Sequence, residues 1–412
     1  MSARIIIENV DLLLWFIIAA NVFYVLFFAL ASILPRKKHH PSAIIPQPSF
    51  LILFPAYKED AVILHSIKSF LQQDYPKELY QVVVISDHMT DDTNKQLASL
   101  PITLLQPMVE KSSKAKALQY ANSYIIPQTS AIYNYVVVLD ADNIVAPDFL
   151  SRLSHITQPN IAIQCHRTAK NSNNDIAALD GLSEEINNSL FRKGHNRIGM
   201  SSALIGSGMC FNYDWFKENV TKLDSAVEDR ELEALLMKQG IYIHYAEDIH
   251  VLDEKVSNSD NFQRQRLRWM TGQVQAFIRM LPYIPKAVIT GNINYIDKTI
   301  QQALIPRSIL IVLTPLLALL SLLASYIFHH TSSILPLPSY IFHLKWWGVF
   351  IIICIALLLA TPKSLRHQIL SKKLLTLPLL VWKMLHNIVN IDHKNKEFIH
   401  TTHNKYLCDD QY

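Results

Sequence analysis

Cysteine is scarce in this chain of 412 residues: Cys165, Cys210, Cys354 and Cys408 are all there is, with no paired spacing. Neither a disulfide framework nor a zinc site is encoded. Charge of one sign is scarce too. The net charge of +4 is small for this length, and basic residues gather beside apolar runs, so the sequence carries no footprint for nucleic acid. Internal repeats and low-complexity segments are absent. A cleaved leader is not expected either: no basic stretch precedes the first apolar run, the run exceeds a signal-peptide core, and no small-residue cleavage site follows it.

What the chain has in quantity is apolar surface. Half of its residues are hydrophobic and its mean hydropathy is positive, which predicts a membrane part beside a soluble part. Leu12 to Leu34 contains no charged residue, and at about 1.5 Å per residue it spans a hydrocarbon core of roughly 30 Å. Arg36, Lys37 and Lys38 follow it, whereas the start of the chain sets Arg4 against Glu8 and Asp11. The positive-inside rule then puts the N-terminus outside and the following domain in the cytoplasm. Ile309 to Phe328 and Trp346 to Ala360, the latter led by Lys345, are further uncharged stretches; His329 to Leu344 between them has no Lys, Arg, Asp or Glu, and Lys363, Arg366, Lys372 and Lys373 follow. They predict a hairpin with an external loop. Leu374 to Ile391 is apolar but includes Lys383 and His386, and reads as an amphipathic helix in the inner interface.

From Phe50 to about Gln164, short apolar runs alternate with helical stretches: Phe50 to Phe54, Ile63 to Gln72, Val82 to Ile85, Ile102 to Leu105, Lys114 to Ser123, Tyr135 to Leu139 and Ile161 to Gln164. The alternation predicts an α/β layered fold with a mostly parallel sheet flanked by helices. In such sheets ligands lie at the carboxyl ends of the strands. Those ends carry Pro55-Ala56-Tyr57-Lys58-Glu59, Asp87-His88-Met89-Thr90-Asp91-Asp92-Thr93 and Asp140-Ala141-Asp142. The stretch from Ala169 to about Ala246 reads as more helical and polar, and is followed by a Gln- and Arg-rich helix from Asn261 to Met280.

Each of these groups has a structural and a chemical reading. Asp140 and Asp142 serve equally as turn and N-cap residues or as ligands of a divalent cation, Mg2+ or Mn2+, that bridges a nucleotide diphosphate. Asp87 is either a solvated acid after a Val/Ile strand or an acceptor for a base or ribose, beside Tyr57 as a stacking face and Glu59 as a second acceptor. Lys114 is a solvated helix residue or a donor-site cation. Glu228 and Asp229 complement a helix dipole, or Asp229 is the base that deprotonates an attacking hydroxyl. Gln265, Arg268 and Trp269 belong to an interfacial helix, or Arg268 holds a diphosphate and Trp269 stacks on an acceptor sugar.

The order of these groups resembles the membrane-bound family 2 glycosyltransferases, the group of cellulose, hyaluronan, chitin and poly-N-acetylglucosamine synthases. Pro55-Ala56-Tyr57-Lys58-Glu59 looks like Pro-Ala-x-Asn-Glu with Lys58 for Asn. Ser86-Asp87 to Thr93 is similar to Asp-Asp-x-Ser-x-Asp-x-Thr with Ser86 and Met89 substituted, and Lys114 to Leu118 resembles Gly-Lys-x-x-Ala-Leu with Ser113 for glycine. Asp140-Ala141-Asp142, Glu228-Asp229 and Gln265 to Trp269 match Asp-x-Asp, the Glu-Asp pair and Gln-x-x-Arg-Trp without change. Lys396 to His403 looks like a C-terminal Lys-x-x-Trp-x-x-Thr-x-His signature with Phe398 for Trp.

The resemblance implies a GT-A-type nucleotide-sugar-binding domain with transmembrane and interfacial helices, a UDP-sugar donor, a divalent metal and inverting transfer. Asp229, with Glu228, is catalytic. Pro55, Ala56, Tyr57, Glu59, Asp87, Lys114, Asp140 and Arg268 bind the donor, Gln265 and Trp269 the acceptor, and Asp142 with Asp140 the metal. The expected organisation is an external N-terminus (1–11), a first span (12–34), a cytoplasmic GT-A domain (41–258), interfacial helices (259–304), a second span (305–328), a third (343–361) and a cytoplasmic helix and tail (362–412). The implied partners are a UDP-sugar, a glycan or lipid-linked acceptor and membrane lipids at the inner membrane, with oligomer formation left open. Processive polymer synthesis and single transfer both stand. A non-catalytic scaffold that binds nucleotide sugar is the alternative, motivated by Lys58, Ser86 and Met89.

Overall fold

The structure is a computed structural model and describes residues 3–36, 47–107, 112–128, 133–172, 174–225, 227–256, 258–331, 339–369 and 382. The expected helix at 374–391, apart from Trp382, and the signature at 396–403 with His400 and His403 lie outside the described residues.

Helix α1 (Ala3–Ser32) comes first. Then β1 (Phe50–Tyr57), α2 (Ile63–Phe70), β2 (Tyr80–Asp87), α3 (Asp91–Ala98), β3 (Thr103–Leu105), α4 (Lys114–Gln128) and β4 (Tyr135–Val138) alternate as the spacing predicts. The next part is β5 (Ile144–Val145), α5 (Phe149–Ser154), β6 (Ile161–Ala169), α6 (Asp175–Asn187), a π-helical turn (Asn188–Gly194) and α7 (His195–Arg197). It continues through β7 (Met209–Asn212), α8 (Tyr213–Asn219), α9 (Glu228–Lys238) and β8 (Tyr242–Asp253). Helices α10 (Ser259–Met280), α11 (Ile284–Ile289), α12 (Ile293–Ala303), α13 (Arg307–Thr331), α14 (Ser339–Ala360) and α15 (Arg366–Ile369) complete the order.

The strands form one sheet in the order β3-β2-β1-β4-β7-β6-β8-β5. β3, β2, β1 and β4 are mutually parallel, as expected. The other half is not. β7 lies between β4 and β6 and runs antiparallel to both, β6 and β8 pair in parallel, and β5 is antiparallel to β8, so the sheet is mixed, with β7 and β5 the two reversed strands. The reversal follows from the turn Gly206–Gly208, where Gly206 at φ 84 and Gly208 at φ 63 aim the chain back along β4. The strand β8 escaped the sequence because its outward residues are polar or charged, among them Glu247, Asp248 and His250.

In β1 and β4 nearly every side chain is buried, because both sheet faces are covered. Alternation sends Leu51, Leu53, Val136 and Val138 into one core with Leu118 and Leu236. Phe50, Ile52, Phe54 and Val137 go into the other, against Ile63, Ile67 and Phe70. Burial of each such side chain stabilises the fold by about 1.5–3 kcal/mol, and a charge at Val137, which is fully buried, would break the layer.

A third core joins α1, α6, α13 and α14 through Val22, Phe28, Leu182, Leu310, Trp346 and Ile353. Trp346 Nε1 donates to Asp11 Oδ1 at 3.0 Å, and Lys345 pairs with the same carboxylate. Phe28 stacks on His195 with ring centroids 3.6 Å apart, and Tyr24 donates to Asp297 at 2.7 Å. These contacts fasten α1 to α14, α7 and α12. Among the described residues one segment, Asn9–Ser32, is long and apolar enough by itself to cross a membrane. Helices α12 and α13 qualify only jointly, across a 59° bend, and the apolar part of α14, Leu344–Ala360, is shorter. The three-span organisation therefore stands as a proposal.

Candidate active site

Strand ends build the site. Tyr57 and Asp87 are register partners at the ends of β1 and β2, and the next residues, Lys58 at φ 55 and His88 at φ 58, turn the chain away. The backbone N–H of Lys58 donates to the Asp87 carbonyl at 3.1 Å, which locks the two turns together. Asp87 is buried, with Oδ1 2.5 Å from His88 Nδ1, and Tyr57 packs edge-on to the His88 ring at 5.5 Å. Two of the substitutions that depart from the family pattern have local partners: Ser86 donates to Asn94 Oδ1 at 2.5 Å, and Met89 Sδ accepts from the Glu59 N–H at 3.0 Å.

At the end of β4, the Asp140 N–H donates to Asn143 Oδ1 at 2.9 Å. Asp142 is buried; its Oδ2 accepts from the Glu254 N–H at 2.7 Å and its Oδ1 from Asn143 Nδ2 at 3.3 Å. Lys114, at the start of α4, places Nζ 2.5 Å from Asp140 Oδ1, 2.5 Å from the Gly206 carbonyl and 3.5 Å from Glu228 Oε1. Burial works against its ammonium, but Asp140, Glu228 and Asp229 outweigh burial and raise its pKa.

Glu228 and Asp229 open α9. Burial pushes the Glu228 carboxyl up to about 7, with Lys114 pulling it down and Asp229 pushing it further up. Gly206 closes the site from below: a Cβ there would lie 3.6 Å from Asp229 Oδ2. From α10, Arg268 lines the same cavity; burial lowers its pKa, and Glu228, Asp140 and Asp229 oppose that. Gln265 Oε1 is buried there without a hydrogen-bond partner, and Trp269 carries the Arg266 guanidinium over its ring at 4.6 Å.

All of the sequence candidates line one cavity of about 540 Å³: Pro55, Ala56, Tyr57, Glu59 and Asp87, then Lys114, Asp140 and Asp142, then Glu228, Asp229, Gln265, Arg268 and Trp269. The cavity continues past them between Asn21 and Val25 of α1, Leu304 to Ser308 and Ile311 at the start of α13, and Leu357 of α14.

The sequence missed a charged knot beside Asp140 and Asp142. Arg167 Nε donates to Glu184 Oε1 at 2.7 Å and lies 3.8 Å from Asp253, with its NH1 4.0 Å from Asp140 Oδ2. Lys255 pairs with Glu184 and, at 2.7 Å, with Asp253. Burial opposes the Arg167 charge, but Asp253, Glu184 and Asp140 outweigh it and raise its pKa. Asp253-Glu254-Lys255 is a charge run in the sequence; nothing local marks Arg167 or Glu184, because their partners are distant in sequence.

Among the described residues no three His, Cys, Asp or Glu side chains are arranged as a metal-ligand set. Two carboxylates at a strand end, with the remaining positions left to phosphate and water oxygens, are what Mg2+ or Mn2+ accepts. Asp140 and Asp142 fit that pattern.

Residues 135–362 match the description Glycosyl transferase family group 2, and residues 51–218 match Glycosyl transferase family 2. The chain is similar to the beta-monoglucosyldiacylglycerol synthase of Nostoc sp., 24% identical over 262 residues that make up 61% of this chain and 54% of that protein. The synthase of Trichormus variabilis is 23% identical over the same share. The chain spans about half the length of the curated relatives it matches. In fold it is similar to the mannosyltransferase of Pyrobaculum calidifontis solved with GDP-Man and Mn2+, at a TM-score of 0.52 and 16% identity, covering 91% of this chain and 97% of that one. The architecture is thus GT-A-like, an α/β mixed sheet flanked by helices. With more than half of its length matched, the chain belongs to glycosyl transferase family group 2.

Proposed function

We propose that this chain transfers a sugar from a UDP-sugar to a lipid or lipid-linked acceptor, with inversion, at the cytoplasmic face of the membrane. The observation that carries this is the continuity of one cavity, from Tyr57, Asp87 and the Asp140–Lys114–Glu228 cluster to an apolar wall of α1, α13 and α14. The names of the curated relatives, which are glycolipid synthases, point the same way.

Tyr57, Glu59 and Asp87 receive the nucleoside, and Arg268 faces the diphosphate as a forked cation. Asp140 and Asp142 would hold Mg2+ or Mn2+, which when bound supplies positive charge to the leaving diphosphate. Asp229 accepts the proton of the acceptor hydroxyl as its oxygen bonds to the anomeric carbon and the bond from that carbon to the diphosphate breaks. Lys114 donates to Asp140 and pairs with Glu228 at 3.5 Å, and the Arg230 N–H donates to Asp229 Oδ1 at 2.8 Å. Gln265 and Trp269 border the acceptor.

Membrane attachment rests on exposed apolar faces. Leu13, Phe16 and Phe27 of α1, Leu319 and Leu323 of α13, and Ile351 and Ile355 of α14 are all exposed, a surface that lipid would cover. Val288, Ile289 and Ile293, at the ends of α11 and α12, are likewise exposed, consistent with helices lying in the interface. The test is a panel of radiolabelled UDP-sugars with purified protein and a lipid extract. One discrete lipid-soluble product is expected; a ladder of increasing length would replace single transfer by polymer synthesis, and no labelled product with any donor would favour the scaffold.

A further inference from the structure

Three arginines meet where α6, the π-helical turn, α10 and the start of α13 come together. Arg307 NH2 donates to Asn187 Oδ1 at 2.5 Å and to the Ser183 carbonyl at 3.2 Å. Arg192 NH1 donates to Asn188 Oδ1 at 2.9 Å. Arg266 pairs with Asp180. All three line the cavity.

Their charges do not balance. Among the described residues, Asp180 is the one acid that pairs with any of the three, and nearby Glu184 is already held by Arg167 and Lys255. Among the described residues, Arg192 and Arg307 form no ion pair. Arg192 is 4% exposed, and the Nε atoms of Arg192 and Arg266 are buried with no hydrogen-bond partner. Burial and the repulsion of Arg167 lower the Arg192 pKa even though Glu184 and Glu233 support it. A buried guanidinium with an idle donor is costly unless an anion completes it. The first turn of α13 adds the positive end of a long helix at the same place.

The wall beside this cluster is apolar: Val25, Leu304, Ile305, Ile311 and Leu357. Forked donors that match a tetrahedral oxyanion, next to a surface suited to hydrocarbon, define an amphiphile with a phosphate at its polar end. We propose that Arg192, Arg266 and Arg307 form a subsite for the phosphate group of the lipid that occupies the acceptor side of the cavity. This rests on the lipid-acceptor reading and names its substrate class: a phosphate-bearing lipid rather than a neutral diglyceride.

The experiment uses the full chain in mixed detergent micelles and three probes: dioleoyl phosphatidic acid, dioleoylglycerol with the same chains, and inorganic phosphate. Binding is read as a concentration-dependent rise in melting temperature, with UDP affinity in Mn2+ measured in parallel. Phosphatidic acid is expected to stabilise the protein, with little effect of the other two. Arg192→Met is expected to weaken the phosphatidic acid response about tenfold or more and to leave UDP affinity unchanged. Arg307→Lys, which keeps the charge and loses the fork, is expected to weaken it by a smaller factor and serves if Arg192→Met does not fold. An equal response to dioleoylglycerol, or variants that respond as the parent does, would overturn the subsite. A response to inorganic phosphate alone would assign the arginines to a free anion and overturn the lipid assignment. Absence of UDP binding in the parent protein would instead refute the UDP-sugar reading, so the two failures are separable.

Discussion

Lys114 Nζ lies 2.5 Å from Asp140 Oδ1, joining the first turn of α4 to the end of β4 across 26 positions of sequence. The same ammonium reaches Glu228 and the carbonyl of Gly206. Four segments that look independent in the sequence are therefore one electrostatic unit.

Glu228 shows this in the pH dependence of stability. Its carboxyl sits at about 7 against an ordinary 4.5, so between those values the folded state binds more protons than the unfolded one. The resulting stability is full below about 4.5 and is lost as pH rises through about 7. Glu228→Gln should therefore raise the melting temperature at pH 8 relative to the parent protein and change it little at pH 5. Thermal melts at both pH values check the sign; equal shifts at both would remove the linkage.

Asp229→Asn should lower transfer by a factor of about 10²–10⁴ while leaving UDP affinity within about twofold. Isothermal titration beside a radiolabel transfer assay separates the two quantities. Retained turnover would sink the assignment of Asp229 as base.

Asp142→Ala should reduce metal-dependent UDP binding, and chelation of divalent ions should abolish transfer in the parent protein and restore it on addition of Mn2+ or Mg2+. UDP affinity measured with and without metal gives the answer. Because Asp142 also accepts from the Glu254 N–H at 2.7 Å, the variant should lose about 1–3 kcal/mol of stability as well. UDP affinity that is the same with and without metal in both proteins would count against the metal role.

Gly206→Ala tests the floor of the site. At φ 84 an alanine costs about 1–3 kcal/mol of backbone strain, and its Cβ would sit 3.6 Å from Asp229 Oδ2. A fall in transfer larger than the loss in folded fraction is expected. If activity per folded molecule is unchanged, Gly206 matters to the turn alone.

The first, parallel half of the sheet was legible in the sequence because its signals are local. β1, β2 and β4 are built on apolar runs, since both sheet faces are covered, and Tyr57 and Asp87 close β1 and β2 while Asp140 stands just past β4. The order of Asp140–Asp142, Glu228–Asp229 and Gln265–Trp269 then pointed to the glycosyltransferase family whose model the chain matches. Three features needed the tertiary structure. The antiparallel course of β7 depends on a glycine turn whose direction no periodicity records, and the polar outward face of β8 hid a 12-residue strand. The pairing of Arg167 with Glu184 and Asp253, and the meeting of Arg192, Arg266 and Arg307, join residues from elements far apart in the chain. Whether a buried charge has a partner is decided by which elements pack together, and that is a property of the fold, not of any stretch of sequence.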